Sequence, residues 1–374
     1  MTPLGLAARN GHAEVVRLLL LDGKAAVDTP DLWGWTALIY AAAGRHVGVV
    51  KVLLDANAAV DVRDNDDSTA LIFAAFRGDV EVVKLLLGAN ASVDVRARDD
   101  RTPLISAALC GHVDVVKLLL NANAPVDSQD RVGETALMGA AGEGHVDVVK
   151  LLLDANAAVD IRGKNDWTSL FWAAEQGNAE VVKLLLEANA VVDVRSSTGP
   201  YNWSHPQVVR VDAAGDWTPL RVAVWRRNVE VVRLLLDADA SVDVQDELGE
   251  TALLVAVREG DVEMVKLLVS ANASVEVEDI NGDTPLIRAV KQGYCEIVQL
   301  LIDANADVNQ RPQRGKTALS CAASEGNVAM VKLLLGANAL VDVKDDVGWD
   351  ALRYAAEGGH VEIVNLLANS TNSI

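Results

Sequence analysis

A threonine-led phrase returns along this chain eleven times, and its clearest copy runs Thr69-Ala-Leu-Ile-Phe-Ala-Ala-Phe-Arg-Gly78-Asp-Val-Glu-Val-Val-Lys-Leu-Leu-Leu87-Gly-Ala-Asn90-Ala-Ser-Val-Asp94. Matching copies begin at Thr36, Thr102, Thr135, Thr168, Thr218, Thr251, Thr284 and Thr317. A partial first copy starts at Thr2, and Asp350 opens the last. The interval is 33 residues from Thr36 to Thr168 and again from Thr218 to Asp350; between Thr168 and Thr218 it is 50. A fixed period in this range restricts the fold to a stack of small supersecondary repeats.

Each repeat carries its own local instructions. Thr69 can accept a backbone N–H at a helix start, and Asp350 can cap in the same way. Pro3, Pro103, Pro219 and Pro285 follow the capping Thr directly, and proline suits the first helical position. An Ala-rich helix then runs to Gly78, which suits a left-handed break. A second helix is expected to bury Val80, Val83, Leu86 and Leu87 on one face. Asn90 follows where that helix ends, and asparagine tolerates the left-handed conformation. Val93-Asp94-Val95 and the polar stretch to Thr102 read as a turn or short hairpin. Neither helix can cover its apolar face alone, so neighbouring repeats must supply the core.

Thr-Pro-Leu-x-x-Ala-Ala, Gly-His-x-x-Val-Val-x-Leu-Leu-Leu and the 33-residue period resemble ankyrin repeats over essentially the whole chain. The resemblance implies an all-α, ankyrin-like solenoid: one array, 1–374, of about eleven helix-turn-helix repeats with short hairpin loops. One departure is systematic. The family usually has His three residues after the Thr, tying adjacent loops together. Here those positions hold Gly5, Ile39, Ile72, Ile105, Met138, Phe171, Arg221, Leu254, Ile287, Ser320 and Arg353. Apolar packing is therefore expected to replace most of that hydrogen bonding.

Composition narrows the function class. No run approaches the ~20 apolar residues of a membrane-spanning helix. Thr2 follows Met1 directly, which leaves no room for a signal peptide. Cys110, Cys295 and Cys321 are odd in number and lack metal-binding spacing, as expected of free thiols in a reducing, cytoplasmic setting. A net charge of −20 argues against nucleic-acid and anionic-membrane partners. A monomer is expected.

Irregularities mark where the array departs from its consensus. The first repeat lacks the turn that precedes every other Thr, so Leu4 and Leu6 are expected to lie uncovered. The chain reads as a piece of something longer, missing sequence on its N-terminal side. Arg45 and Arg227 stand where other repeats have the left-handed glycine; either they keep positive φ, at roughly 1–2 kcal/mol each, or the turn shifts to a neighbour such as Gly44. The long interval contains 17 extra residues, placed at 196–212. Tyr201, Trp203 and His205 lie within it, and Val192-Asp-Val-Arg195 and Val209-Arg-Val-Asp212 alternate as the two sides of an extended hairpin would. Insertions in repeat proteins map to loops on one face, often the binding face; a tolerated surface loop fits the sequence equally well.

Nothing in the chain supports catalysis or a cofactor. His12, His46, His112, His145 and His360 all open a second helix, which is a structural role. Asp64-Asn65-Asp66-Asp67 resembles the start of a calcium loop but lacks the Gly and distant Glu such loops need; it reads as a turn tip.

The resemblance also implies a concave groove, lined by turn tips, by the residue just before each Thr and by those four, seven and eight after it. Those positions hold Trp33, Trp35, Tyr40, Phe73 and Phe76 in the second and third repeats, and Trp167, Trp172, Trp217 and Trp225 in the sixth and seventh. The chain has fifteen aromatics in all (8 Trp, 4 Tyr, 3 Phe), so nine in four repeats is an enrichment of the residues that most often anchor partners. Trp33, Tyr40, Trp172 and Trp225 are expected to face solvent. Trp35, Trp167, Trp217 and Trp349, beside the capping residue, suit packing along the stack as well as exposure. Further along, Arg226, Arg258, Arg288 and Lys291 form a basic stripe, interrupted by Glu259 and extended by Arg314 and Lys316. Such a stripe either steers an acidic peptide or is neutralised by neighbouring carboxylates. Leu301 with Asp307-Val308-Asn309 resembles the pattern on which asparaginyl hydroxylases act, which makes Asn309 a candidate for hydroxylation. The expected function is a non-enzymatic protein–protein interaction scaffold with its partner in the groove. The alternative is a regulatory or targeting domain of a larger enzyme or channel.

Overall fold

The computed structural model describes residues 1–21, 25–198, 215–311 and 315–371. Among these are 22 α-helices in eleven consecutive pairs; their only β pairing is one isolated antiparallel bridge, Ser196 with Trp217. The chain divides into two compact bodies, Met1–Val191 with the first six pairs and Val192–Ile374 with the other five. Within each body, first helices pack on first helices and second helices on second helices.

Helix starts follow the expected capping. The Thr36 hydroxyl accepts the Ile39 N–H at 3.3 Å, Thr102 that of Ile105 at 3.2 Å, and Asp350 that of Arg353 at 2.9 Å. The third repeat, the cleanest in sequence, is an exception: the buried Thr69 hydroxyl makes no cap bond. Val82, Val83 and Leu86 are fully buried in that repeat's second helix (Val80–Gly88), each stabilising the stack by roughly 1.5–3 kcal/mol. Val80 and Leu87 are only half-buried. The buried seam therefore differs from the expected face: it runs through Val82, Val83 and Leu86, and the helix packs against its own repeat's first helix and the second helices of the repeats on either side.

The break between the helices couples neighbouring repeats. Gly78 has φ 71°, and a Cβ there would lie 2.5 Å from the His112 ring of the next repeat. That ring donates from Nε2 to the Phe76 carbonyl at 3.0 Å, and His46, His145 and His360 bond the preceding repeat in the same way. Arg45 and Arg227 keep positive φ (62° and 61°), while Gly44 does not take over the turn. Opposite each of them the next repeat has exchanged His for an acid. Arg45 meets Asp79 at 3.5 Å and Arg227 meets Asp261 at 3.3 Å.

Turns are built on aspartate. Asp64 accepts from the N–H groups of Asp66 (2.9 Å) and Ser68 (2.8 Å), so this acidic stretch is a turn tip. Another carboxylate row links repeats: Asp127 accepts from Ala158 N–H and Asp243 from Ser274 N–H, each at 2.9 Å and 31 residues on. Asp193 makes the same bond to Ser241, 48 residues on. The repeat register is thus unchanged by the inserted residues. At the first repeat, Leu4 is buried under the neighbouring pair, contrary to expectation, while Leu6 is exposed.

Candidate interaction surface

The groove aromatics divide by how far their own turn and the adjacent repeat cover them. Trp33 stands 63% exposed at its turn tip, and Phe76 is exposed too. Trp35 is half-buried between Tyr40 and Phe73, ring centroids 4.9 and 4.8 Å away. Phe73 is itself half-buried. Tyr40 corrects the expectation of exposure: it is buried, because its hydroxyl donates to Asp31 at 2.5 Å while its ring leans on Trp35. Burial and the Asp31 carboxylate push the Tyr40 phenol up to about 12. Burial opposes ionisation of Asp31, but the Tyr40 hydroxyl and the N–H groups of Trp33 and Trp35 outweigh it and hold the carboxyl below its ordinary value.

In the sixth and seventh repeats the aromatics lean inward. Trp167 and Trp217 are buried, and Trp172 and Trp225 are half-buried against them at 4.6 and 5.9 Å, rather than standing free. The tryptophan beside the capping Thr packs first, and its groove neighbour rests on its edge.

One cleft runs from the aromatics of the second repeat to polar residues of the first and third. It encloses about 610 Å³ and is lined by Arg9, Trp33, Trp35, Tyr40, Ala43, Gly44, Asn65, Asp66 and Arg77. Arg9 and Arg77 are exposed, and among the described residues neither guanidinium has a carboxylate partner. Arg77 lies over the Phe76 ring, 5.9 Å from its centre. The one acid of the lining, Asp66, pairs with Arg98 at 3.4 Å. Arg9 and Arg77 occupy groove positions, seven and eight residues after their Thr, and a search weighted to aromatics passes over them.

The basic stripe of the later repeats has a different character. Arg258 bonds Glu250 at 2.7 Å and Glu259 at 3.3 Å. Arg288 joins Glu250 at 2.5 Å and Asp279, and Lys291 reaches Asp283 at 2.6 Å. Arg226 stacks over Trp225 and Lys316 over Tyr354. Beneath them Arg221 is buried, pairs with Asp246 and lies 4.2 Å over the Trp217 ring. Sequence reading marks Arg221 only as a departure from the family's His. Burial would favour neutral Arg221, and the Asp246 charge opposes it; the net effect is a lowered pKa.

Asn309 serves as one rung of the inter-repeat ladder: its Oδ1 accepts the Leu340 N–H at 2.7 Å and its Nδ2 donates to the Asn338 carbonyl. Tyr201, Trp203, His205, the strand expected at 209–212 and Arg314 lie outside the described residues; the Ser196 N–H donates to the Trp217 carbonyl at 2.9 Å. The three cysteines are free thiols. Among the described residues no group of three or more His, Cys, Asp or Glu is arranged to hold a metal ion, and no helix is long and apolar enough to cross a membrane.

A family profile described as ankyrin repeats (3 copies) matches residues 1–64, 56–130, 122–196, 220–312 and 306–374. A stretch of 52 residues, 14% of this chain, is 52% identical to part of the Homo sapiens transient receptor potential cation channel subfamily A member 1. It covers 4% of that protein's length.

Proposed function

Since the chain belongs to the ankyrin-repeat family, we propose that it is a non-enzymatic scaffold that binds a partner protein along the face of turn tips and first helices. The observation that carries this reading is Trp33, a large apolar side chain 63% exposed at the mouth of a cleft walled by Trp35, Phe76's neighbour Arg77 and Asn65. Exposed tryptophan beside a cleft is the arrangement from which interface anchors are drawn. The titratable groups there support binding over proton transfer. The Tyr40 phenol is pushed up and Asp31 held down, the opposite of what an acid–base pair working near neutrality needs.

The test compares the full chain with its Trp33→Ala variant in affinity capture read by quantitative mass spectrometry. Melting temperature should be nearly unchanged, while retention of the specific partner falls by the equivalent of about 2 kcal/mol or more. Equal capture by both proteins would remove the cleft as the anchor.

A further inference from the structure

We propose that the cleft across the first three repeats takes an acidic segment of a partner protein, with carboxylate side chains meeting Arg9 and Arg77 and an apolar side chain lying on Trp33. This deepens the groove reading above and rests on it. Its basis is charge complementarity. The protein carries a net charge of −20, yet this cleft holds two guanidinium groups without carboxylate partners among the described residues. The one acid of its lining, Asp66, pairs with Arg98 at 3.4 Å, and Asp31, which holds the Tyr40 hydroxyl, is not part of that lining. Asn65 is committed as well, its side-chain amide donating to the Leu32 carbonyl at 3.0 Å.

An apolar segment seated here would partly desolvate Arg9 and Arg77 with nothing to compensate, whereas a carboxylate would form charge-assisted bonds with them. The acidic remainder of the molecule repels such a segment, so the cleft gains specificity as well as affinity. A free small anion fits less well. Small-ligand sites typically bury about 70–90% of the ligand, and a wall whose main apolar residue is itself 63% exposed cannot enclose one. A peptide running across the opening needs no such enclosure.

The experiment pans a phage-displayed library of random dodecapeptides against the full chain and measures the selected peptides, synthesised free, by calorimetry. Selected sequences should place Asp or Glu beside an apolar residue. Arg9→Glu with Arg77→Glu should weaken them by at least about tenfold and flatten the salt dependence of binding. Arg9→Gln with Arg77→Gln provides the same comparison should charge reversal impair folding. Failure to select peptides, selection without acids, or binding indifferent to both double variants would overturn the proposal. If Trp33→Ala abolishes binding while the arginine variants do not, the groove reading stands and the acidic occupant falls. If no variant matters, both fall. Displacement of the peptide by free glutamate at comparable concentration would show that an isolated carboxylate suffices, and would overturn the assignment to a protein segment.

Discussion

Arg9 and Arg77 line an aromatic cleft without a carboxylate partner among the described residues, whereas Arg221, Arg258 and Arg288 of the C-terminal body each rest on at least one acid. Arg77 and Arg258 occupy comparable groove positions, and in sequence the later cluster is the denser. Density proves a poor guide to potential. Glu250 alone bridges Arg258 and Arg288, at 2.7 and 2.5 Å, and a unit charge so close cancels most of the field a distant ligand would feel. The sparse pair keeps its field because, among the described residues, neither guanidinium is paired with a carboxylate, and the one acid of the cleft, Asp66, pairs with Arg98. A basic stripe on an acidic solenoid thus serves as internal structure where carboxylates converge on it, and as a surface for partners where they do not.

Removing cations tests this contrast, most severely at Arg221. Arg221→Ala strands Asp246 in a buried site and should cost roughly 3–5 kcal/mol, read as a fall in the urea midpoint of the full chain. A much smaller loss would show that the N–H groups of Leu248 and Glu250 satisfy Asp246 unaided, and the distinction between the two regions would blur.

Arg288, whose side chain is 13% exposed, should be intermediate. Arg288→Ala removes two charged hydrogen bonds and should cost about 1–3 kcal/mol, while Arg77→Ala should stay within about 0.5 kcal/mol of wild type. Equal losses at the two positions would place Arg77 in an unseen ion pair and break the comparison.

The smallest effects concern pH, one at each end of the scale. Burial raises Asp279, but the Asp283 N–H, the Arg288 guanidinium and Asn281 outweigh it and hold the carboxyl below its ordinary value. Its contribution is present above the unfolded value of about 3.9 and is lost as pH falls through the lower folded one. Arg288→Ala should therefore flatten the acid limb of the stability curve. Tyr40 is raised to about 12, so its contribution is complete below the ordinary phenol value of about 10 and is lost as pH rises through the folded one. Tyr40→Phe should remove one late step from the phenolate absorbance titration. Loss of a step near the ordinary phenol value instead would show that Asp31 does not hold that hydroxyl.

The repeat length, the helix pairs, the threonine caps and the left-handed Asn90 were legible because each is decided within a few residues: a hydroxyl reaching a nearby N–H, or an amide side chain tolerating φ 60°. The burial of Tyr40, the inward lean of Trp172 and Trp225 and the freedom of Arg9 and Arg77 were not. Each depends on what stands beside the side chain across a turn or in the next repeat. Arg45 makes the point most plainly. From its own repeat it is a strained substitute for glycine, and only in the stack does it meet Asp79, 34 positions on, where other repeats bring a histidine. Local chemistry set which helices form and where they stop. Which surface residues remain available to a partner was decided by tertiary packing, because contacts across a turn (Tyr40 with Asp31, Trp172 with Trp167) and between repeats (Arg45 with Asp79) exist only once the chain has folded.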